Sequence, residues 1–193
     1  SEQINKIRVK QAQKLSESIN LELKDLEMKN AKINVKVEKQ ENFNKEGKDK
    51  VEFLISTNLG EDEKELIKIA SGGEMSRIML AIKAVLANSD DISVLIFDEI
   101  DTGISGKAAN SVAEKLNTIA KKHQVLCISH LPNIAAVADY HYFISKNIAH
   151  NRTSTSIKQL NEKEKLIEVS KMMTGNDSSS SLKAARDLID YFK

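Results

Sequence analysis

The sequence is short of the residues that mark disulfide-linked and membrane-spanning proteins. Its 193 residues include one cysteine, one proline and no tryptophan. Cys127 lies in the apolar run Val125-Leu126-Cys127-Ile128, where we expect a buried, unreactive thiol and not a nucleophile or metal ligand. No segment approaches the ~18 consecutive apolar residues of a membrane span, and the polar start lacks the apolar region of a signal peptide. These absences predict a protein of a reducing, cytoplasmic compartment with no membrane partner.

An excess of charge of either sign is also missing. The 29 lysine and arginine residues are balanced by 28 aspartate and glutamate residues, which leaves a formal net charge of +1. The sequence therefore has no global field that would mark a nucleic-acid or membrane binder, and any contact with DNA must be local. With 40% hydrophobic and 30% charged residues, the composition is that of a globular domain with one sizeable core, or one lobe of a larger domain.

The first 30 residues predict a long amphipathic helix. Its apolar residues form one stripe at helical spacing: Ile4, Ile7, Ala12, Leu15, Ile19, Leu23 and Leu26. The returning end of a coiled-coil arm and an ordinary packed helix both have this pattern. Its basic residues are either contacts for DNA phosphates or part of a solvated face, since acidic residues follow them: Lys6, Arg8, Lys10 and Lys14. We assign residues 1–30 to the arm and 31–193 to the lobe itself.

Residues 31–193 predict an α/β fold. Alternating apolar residues at 33–37 and 51–55 predict a β-hairpin joined by the polar segment 40–50. Strands and helices then alternate. The strands are at 94–97, 125–129 and 140–144, with an edge strand at 154–158, and the helices lie behind residue 71 and at 108–121, 132–138, 162–173 and 182–191. This alternation is typical of a mostly parallel sheet flanked by helices. The serine run between the last two helices is read as a linker that ends in a helix cap.

A pair of glycines opens the helix that begins near residue 71. The segment Ser71-Gly72-Gly73-Glu74 has the spacing of a capping box, in which the serine side chain accepts a hydrogen bond from the amide of Glu74. It also suits a phosphate, because glycines allow close approach to the free amides of a helix N-terminus, where the dipole favours an anion. A capped helix rarely needs both glycines, so the phosphate site remains open beside the cap.

Two acidic residues follow the apolar run Val94-Leu95-Ile96-Phe97. A buried strand would place Asp98 and Glu99 at its carboxyl end, the edge at which open α/β sheets bind ligands. Because adjacent strand residues point in different directions, Asp98 is the candidate for holding Mg²⁺ through water and Glu99 the candidate general base. The alternative is that the pair caps the next turn, although burying two unpaired carboxylates is unfavourable.

A histidine and a glycine-bearing loop are expected near these acids. His130 follows the next apolar strand and so falls at the same edge of the sheet, where it could donate a hydrogen bond to a terminal phosphate. A lone histidine after a strand is otherwise a surface or loop residue. The loop 101–106, which contains Asp101 and Gly103, is either part of the site or the entry to the next helix.

Taken in order, these segments resemble the motifs of ABC-type ATPases. Residues 71–74 resemble the signature, 94–99 the Walker B strand, 101–106 the D-loop and His130 the switch histidine. More narrowly, 68–83, 97–106 and 129–132 resemble the C-terminal head lobe of the RecN family, SMC-like ATPases of bacterial DNA double-strand break repair and recombination. The first helix resembles the descending coiled-coil arm of that family, and 172–175 resembles the end of its C-terminal helix.

The resemblance implies an ABC/SMC-type head lobe that uses ATP and Mg²⁺. It assigns Asp98 to Mg²⁺, Glu99 to the attacking water and His130 to the γ-phosphate. The signature residues would contact ATP bound to a second head: Ser71, Gly72, Gly73 and Glu74. Asp101 and Gly103 would belong to the D-loop. The implied partners are a second head and DNA, and the implied location is cytoplasmic and nucleoid-associated.

One motif of such an ATPase is absent from the sequence. Neither Gly47-Lys48-Asp49 nor Gly106-Lys107-Ala108 completes the Walker A pattern G-x-x-x-x-G-K-[ST]. The resemblance places that phosphate loop in an N-terminal lobe of the same polypeptide and predicts that the chain is inactive without it. Two alternatives stay open: a non-catalytic lobe that regulates a partner ATPase, and the lobe of another ABC ATPase.

Overall fold

The computed structural model describes residues 2–45, 47–58, 60–68, 72–87, 89, 91–149 and 152–193. The chain divides into two compact units, Ser1–Gly103 with Thr118–Ile128, and Ile104–Asn117 with Ser129–Lys193. Within the described residues, every helix is too short or too polar to cross a bilayer. The assignment of 1–30 to an arm and 31–193 to a lobe stays a prediction.

The first unit combines two helices with an antiparallel sheet and a parallel strand pair. Its elements are α1 (Glu2–Asp25), β1 (Lys32–Asn44), β2 (Gly47–Ser56), β3 (Lys64–Glu65), a 3₁₀ turn (Leu66–Lys68), α2 (Gly72–Leu86), β4 (Val94–Phe97) and β5 (Gln124–Cys127). Strands β1, β2 and β3 form the antiparallel sheet in that order, and β4 pairs with β5 in parallel. Helix α1 packs against β1 and α2.

The predicted β-hairpin is confirmed, with longer strands than expected. Ile33 pairs with Ile55, Val35 with Phe53 and Val37 with Val51. The segment predicted as a polar connection belongs mostly to the two strands, because β1 continues to Asn44 and β2 begins at Gly47. An antiparallel sheet tolerates polar residues on its solvated face, so the ladder continues beyond the apolar positions that revealed it.

Side chains of α1 fasten the helix along this hairpin. The Asn20 side chain makes two bonds to Ile33, donating to its carbonyl at 3.0 Å and accepting from its amide at 2.8 Å. The Val35 amide donates to Ser16 Oγ at 2.9 Å. The two polar side chains therefore pair with the backbone of β1 near the carboxyl half of α1.

A second attachment lies near the start of α1. Asp49 is only 5% exposed. Its carboxylate accepts hydrogen bonds from Asn5 Nδ2 at 2.6 Å and from Arg8 Nη1 at 3.0 Å. A buried carboxylate is tolerated when it is paired in this way, and the pairing joins α1 to β2.

The second unit contains most of α3 (Gly106–Ala120) and the elements α4 (Pro132–Val137), β6 (Tyr142–Ala149), β7 (Arg152–Gln159), α5 (Glu162–Thr174) and α6 (Ser179–Tyr191). A small core unites α4, α5 and α6 through Ala136, Val169, Ala185 and Ile189.

Helix α6 begins within the serine run, which is therefore a helix start and not a linker. Ser178 is its N-cap and accepts a hydrogen bond from the amide of Ser181.

The α/β class agrees with the prediction, but the parallel part is smaller than expected. Among the described residues, only β4 and β5 pair in parallel, while β6 and β7 form an antiparallel hairpin of their own. Residues 150 and 151 alone separate β6 from β7. A parallel crossover needs about a dozen residues. Because this connection is much shorter, the two strands can pair only as an antiparallel hairpin. The sequence prediction ended the first of these strands at residue 144 and missed this constraint.

Candidate active site

The acidic turn, residues 98–102, follows β4 directly. Leu95 and Phe97 are buried, whereas Val94 and Ile96 are exposed on the other face of the strand. Asp98 and Glu99 are both exposed at its carboxyl end. The strand therefore delivers two accessible carboxylates to the predicted edge, but it is buried on one face only in this chain.

Glu99 has an unusual backbone conformation. Its φ of 56° lies in the left-handed region, which costs a non-glycine residue roughly 1–2 kcal/mol. The Thr102 amide donates to the Glu99 carbonyl at 3.1 Å and closes the turn. Glu27 is the other described non-glycine residue with positive φ, and it lies just past the end of α1, where such a conformation is common. At Glu99 no helix end explains it.

The start of α2 lies directly against this turn. A Cβ on Gly73 would fall 2.8 Å from Thr102 Cβ and 3.0 Å from the Glu99 carbonyl oxygen. A Cβ on Gly72 would fall 2.7 Å from Glu99 Oε2. Gly73 is therefore required by contacts with the backbone of the turn, whereas at Gly72 only the end of the Glu99 side chain would have to move. Ser71, the first residue of the predicted signature, lies outside the described residues, so its cap and its phosphate role stay predictions.

Two polar side chains of α2 hold the backbone of the acidic turn. Ser76 Oγ donates to the Asp98 carbonyl at 2.7 Å. Arg77 Nη1 donates to the Thr102 carbonyl at 2.8 Å and to the Ile100 carbonyl at 3.4 Å. Arg77 is only 8% exposed; burial lowers its pKa, and the negative charge of Glu74 opposes that effect. An arginine stays protonated under such conditions, so a buried cation faces two carbonyl oxygens.

Sequence reasoning missed Ser76 and Arg77. The visible signal is the position of Arg77 within α2, whose buried residues are Gly73, Arg77, Ile78, Leu80, Ala81 and Ile82. A charged side chain on an otherwise apolar helix face requires a partner, and here the partner is the turn that carries Asp98 and Glu99.

The D-loop prediction covers residues of contrasting burial. Asp101 is 3% exposed, whereas Thr102 and Gly103 are exposed. Gly103 has a φ of 74°, a conformation that glycine adopts without strain. The turn thus presents Asp98 and Glu99 to solvent and keeps Asp101 inside.

Cys127, at the end of β5, borders the same turn. Its burial, together with the negative charges of Asp101 and Asp98, raises the pKa of Cys127 to about 12. A thiol with so high a pKa is protonated at neutral pH and is a poor nucleophile and metal ligand. This supports the prediction of an unreactive thiol.

His130 lies in the second unit and is exposed. The loop that carries it is ordered by the Leu131 amide, which donates to Ser129 Oγ at 3.0 Å. Helix α4 begins two residues later, and the buried Lys165 holds its carboxyl end by donating to the carbonyls of Ala136 and Ala138. The placement of His130 beside Asp98 and Glu99 stays a prediction.

Among the described residues, no group of three or more histidine, cysteine, aspartate or glutamate side chains could hold a metal ion. Asp98 as a single carboxylate still fits Mg²⁺, which is usually held by one or two carboxylates together with waters and substrate phosphates. The single carboxylate of Asp98 is therefore compatible with Mg²⁺ bound together with a nucleotide.

Comparison with known proteins identifies relatives of the chain. It is 43% identical over 192 residues to the DNA repair protein RecN of Halalkalibacterium halodurans, which covers 97% of this chain and 34% of that protein. RecN of Bacillus subtilis is 42% identical over 187 residues, 89% of this chain and 32% of that protein. The chain is a RecN relative. It spans about a third of the length of these RecN proteins. No family model matches it.

Solved structures with lower sequence identity have a fold similar to that of this chain. The Smc head domain of Pyrococcus yayanosii aligns with a TM-score of 0.58 at 19% identity, covering 87% of this chain and 30% of that one. The Smc head domain of Pyrococcus furiosus, solved bound to the C-terminal domain of ScpA, aligns with a TM-score of 0.54 at 21% identity, covering 84% and 38%. This RecN-related chain thus has part of the fold of an SMC head.

Proposed function

We propose that this chain is the C-terminal lobe of an SMC-like ATPase head that acts in DNA double-strand break repair and recombination. The observation that carries the proposal is the acidic turn, where Asp98 and Glu99 are exposed at the carboxyl end of β4 and lie against the glycine-led start of α2. The identity with RecN and the Smc head fold support it. A head of this kind hydrolyses ATP only when a Walker A lobe and a second head complete the site.

Within such a head, Asp98 would hold Mg²⁺, in keeping with its single exposed carboxylate. Bound Mg²⁺ would neutralise charge on the nucleotide phosphates and so favour charge development at the reacting phosphorus. Asp98 itself transfers no proton. Its contribution is orientation, and the Ser76 bond to its carbonyl oxygen fixes its backbone.

Glu99 would act as the general base. Its exposed carboxylate is accessible to water, and it would accept a proton from the water that attacks the terminal phosphate. His130 would donate a hydrogen bond to that phosphate. Asp101 and Gly103 would shape the loop between the two heads, with Asp101 acting from inside the turn.

The signature would serve a different nucleotide. Ser71, Gly72, Gly73 and Glu74 would approach ATP bound to a second copy of the head, where the N-terminus of α2 favours the negative phosphates. Nucleotide would then join two heads, and hydrolysis would release them. This cycle would couple the ATP state to the engagement of DNA by the arms, near the nucleoid.

The test is ATP turnover by the chain alone and in a purified complex with the Walker A lobe, with Glu99→Gln in parallel. We expect no turnover by the chain alone, turnover by the wild-type complex, and its loss in Glu99→Gln with ATP still bound. Turnover that survives Glu99→Gln would contradict the assignment of the base. A verified complex that binds ATP but never hydrolyses it, with or without DNA, would favour a regulatory lobe.

A further inference from the structure

The contacts between α2 and the acidic turn follow a regular pattern. Three alternate carbonyl groups of the turn, those of Asp98, Ile100 and Thr102, each accept a hydrogen bond from α2. The donors, Ser76 and Arg77, are neighbours on the second turn of the helix. The backbone that carries both predicted catalytic carboxylates is therefore held from one side by two side chains.

The conformation of Glu99 makes this support necessary. A left-handed φ at a glutamate persists only where the surroundings impose it. The carbonyls on either side of Glu99, at positions 98 and 100, are both bonded to α2. The missing side chain of Gly73 allows the Glu99 carbonyl to approach the helix closely. Each contact acts on the peptide units that set the direction of the Glu99 side chain.

We propose that Arg77 and Ser76 are positioning residues that orient Glu99 of their own head. This inference rests on the proposed function for its activity readout. It gives α2 two roles at once: its first residues face the nucleotide of the second head, while its second turn sets the base for the nucleotide of its own head. A displacement of α2 at one composite site is thereby transmitted to the other.

The first test needs no nucleotide and uses the chain itself. Hydrogen exchange of the Thr102 amide, which closes the turn, is compared in wild type, Ser76→Ala and Arg77→Lys. Because loss of a hydrogen bond that holds the turn favours its local opening, we expect exchange of 98–103 to accelerate about tenfold while β1 and β2 are unchanged. Lys83→Met, which removes a cation from the last turn of α2, is the matched control and should leave 98–103 unchanged.

Unchanged exchange at 98–103 in both Ser76→Ala and Arg77→Lys would overturn the proposal. So would an equal acceleration in β1 and β2, because that result would show a general loss of stability and not a local effect on the turn.

The second test assigns the effect to one head of a dimer, using head complexes that carry the Walker A lobe. One head carries Arg77→Lys and the other carries Glu99→Gln. The only intact Glu99 then belongs to the head with the altered arginine. If Arg77 acts on its own head, turnover falls well below that of a dimer of wild type with Glu99→Gln, by about 10²-fold for a misplaced base, with little change in KM. Retained turnover overturns the proposal.

The matched control replaces Arg77→Lys by Lys83→Met in the same arrangement. Lys83 lies in the last turn of α2, away from the acidic turn and from the signature residues, so this dimer should keep turnover. If wild-type complexes hydrolyse no ATP at all, the proposed function fails, and hydrogen exchange alone decides whether Arg77 and Ser76 position the turn.

Discussion

Two helices of this chain have the same spacing of polar residues at their starts, but the residues between those polar positions differ. Asn161 and Glu164 form a complete capping box at α5, with the Glu164 amide donating to Asn161 Oδ1 at 3.0 Å and the Asn161 amide donating to Glu164 Oε2 at 3.1 Å. Ser71 and Glu74 have that spacing at α2, but Gly72 and Gly73 stand between them and contact the acidic turn. The two residues between the polar positions therefore indicate what the start of a helix contacts better than the capping-box spacing does.

The largest expected effect comes from the carboxylate beside the α2 start. Replacing Glu99 by glutamine removes a general base and should lower kcat of the assembled head by about 10²–10⁴-fold. Nucleotide binding should persist, since the variant keeps the shape of the side chain. Steady-state ATP hydrolysis and equilibrium nucleotide binding, measured on the same complex, check this. Asp187→Asn on α6 serves as a control for loss of a carboxylate elsewhere.

Alanine substitution of the two glycines should have different effects on stability. Gly73→Ala forces a methyl group against the Glu99 and Thr102 backbone and should destabilise the first unit by about 1–3 kcal/mol. Gly72→Ala meets only the end of the flexible Glu99 side chain, and alanine favours helix, so its stability should equal or exceed wild type. Urea unfolding of both variants compares them. Equal destabilisation in both variants would contradict this difference between the two glycines.

The ordinary cap at α5 predicts a smaller loss. Asn161→Ala removes the side chain that accepts from the Glu164 amide and should destabilise the second unit by about 1 kcal/mol. Asn161→Ser retains a capping oxygen and should behave nearly as wild type. Thermal unfolding, with local hydrogen exchange at the start of α5, measures the difference. A full loss in Asn161→Ser would contradict the capping role.

The smallest effect is a pH dependence at the same cap. The pKa of Glu164 is lowered by its hydrogen bond from Lys158 and then by that from the Asn161 amide. Its contribution is present above the unfolded pKa of about 4.3 and is lost as pH falls through the lower folded value. The midpoint of thermal unfolding should therefore decline slightly more steeply below this pH in wild type than in Glu164→Gln. Glu162→Gln, which removes a carboxylate two residues earlier on α5, is the control variant.

Local patterns in the sequence predicted the elements well. The bounds of β4 match the prediction, and the two strands whose alternating apolar residues predicted a hairpin do pair with each other. Hydrophobic periodicity is a short-range signal and is read within one element. Strand direction depends on the length of connections, which is why β6 and β7 were predicted as strands of one mostly parallel sheet and not as a separate antiparallel hairpin.

Contacts between distant segments were less predictable. Asp98 and Glu99 were recognisable because two acids end an apolar run, whereas Arg77 gave no signal without knowledge of which face of α2 is buried. Its partners lie 23 and 25 residues further along the chain, and they are carbonyl groups, which every residue has. A side chain that donates to backbone carbonyls does not require a particular residue type as its partner. The sequence therefore gives no sign of where the partner lies.

The attachment of α1 to the hairpin has a mechanical consequence. Hydrogen bonds join the two at Asn5 and Arg8 and again at Ser16 and Asn20. The span from Asn5 to Asn20 is about 22 Å at the rise of an α-helix. A pull along the helix axis therefore loads these bonds together, in shear, and not one after another as in peeling. Tension on α1 is therefore distributed over both groups of hydrogen bonds and so over both strands of the hairpin.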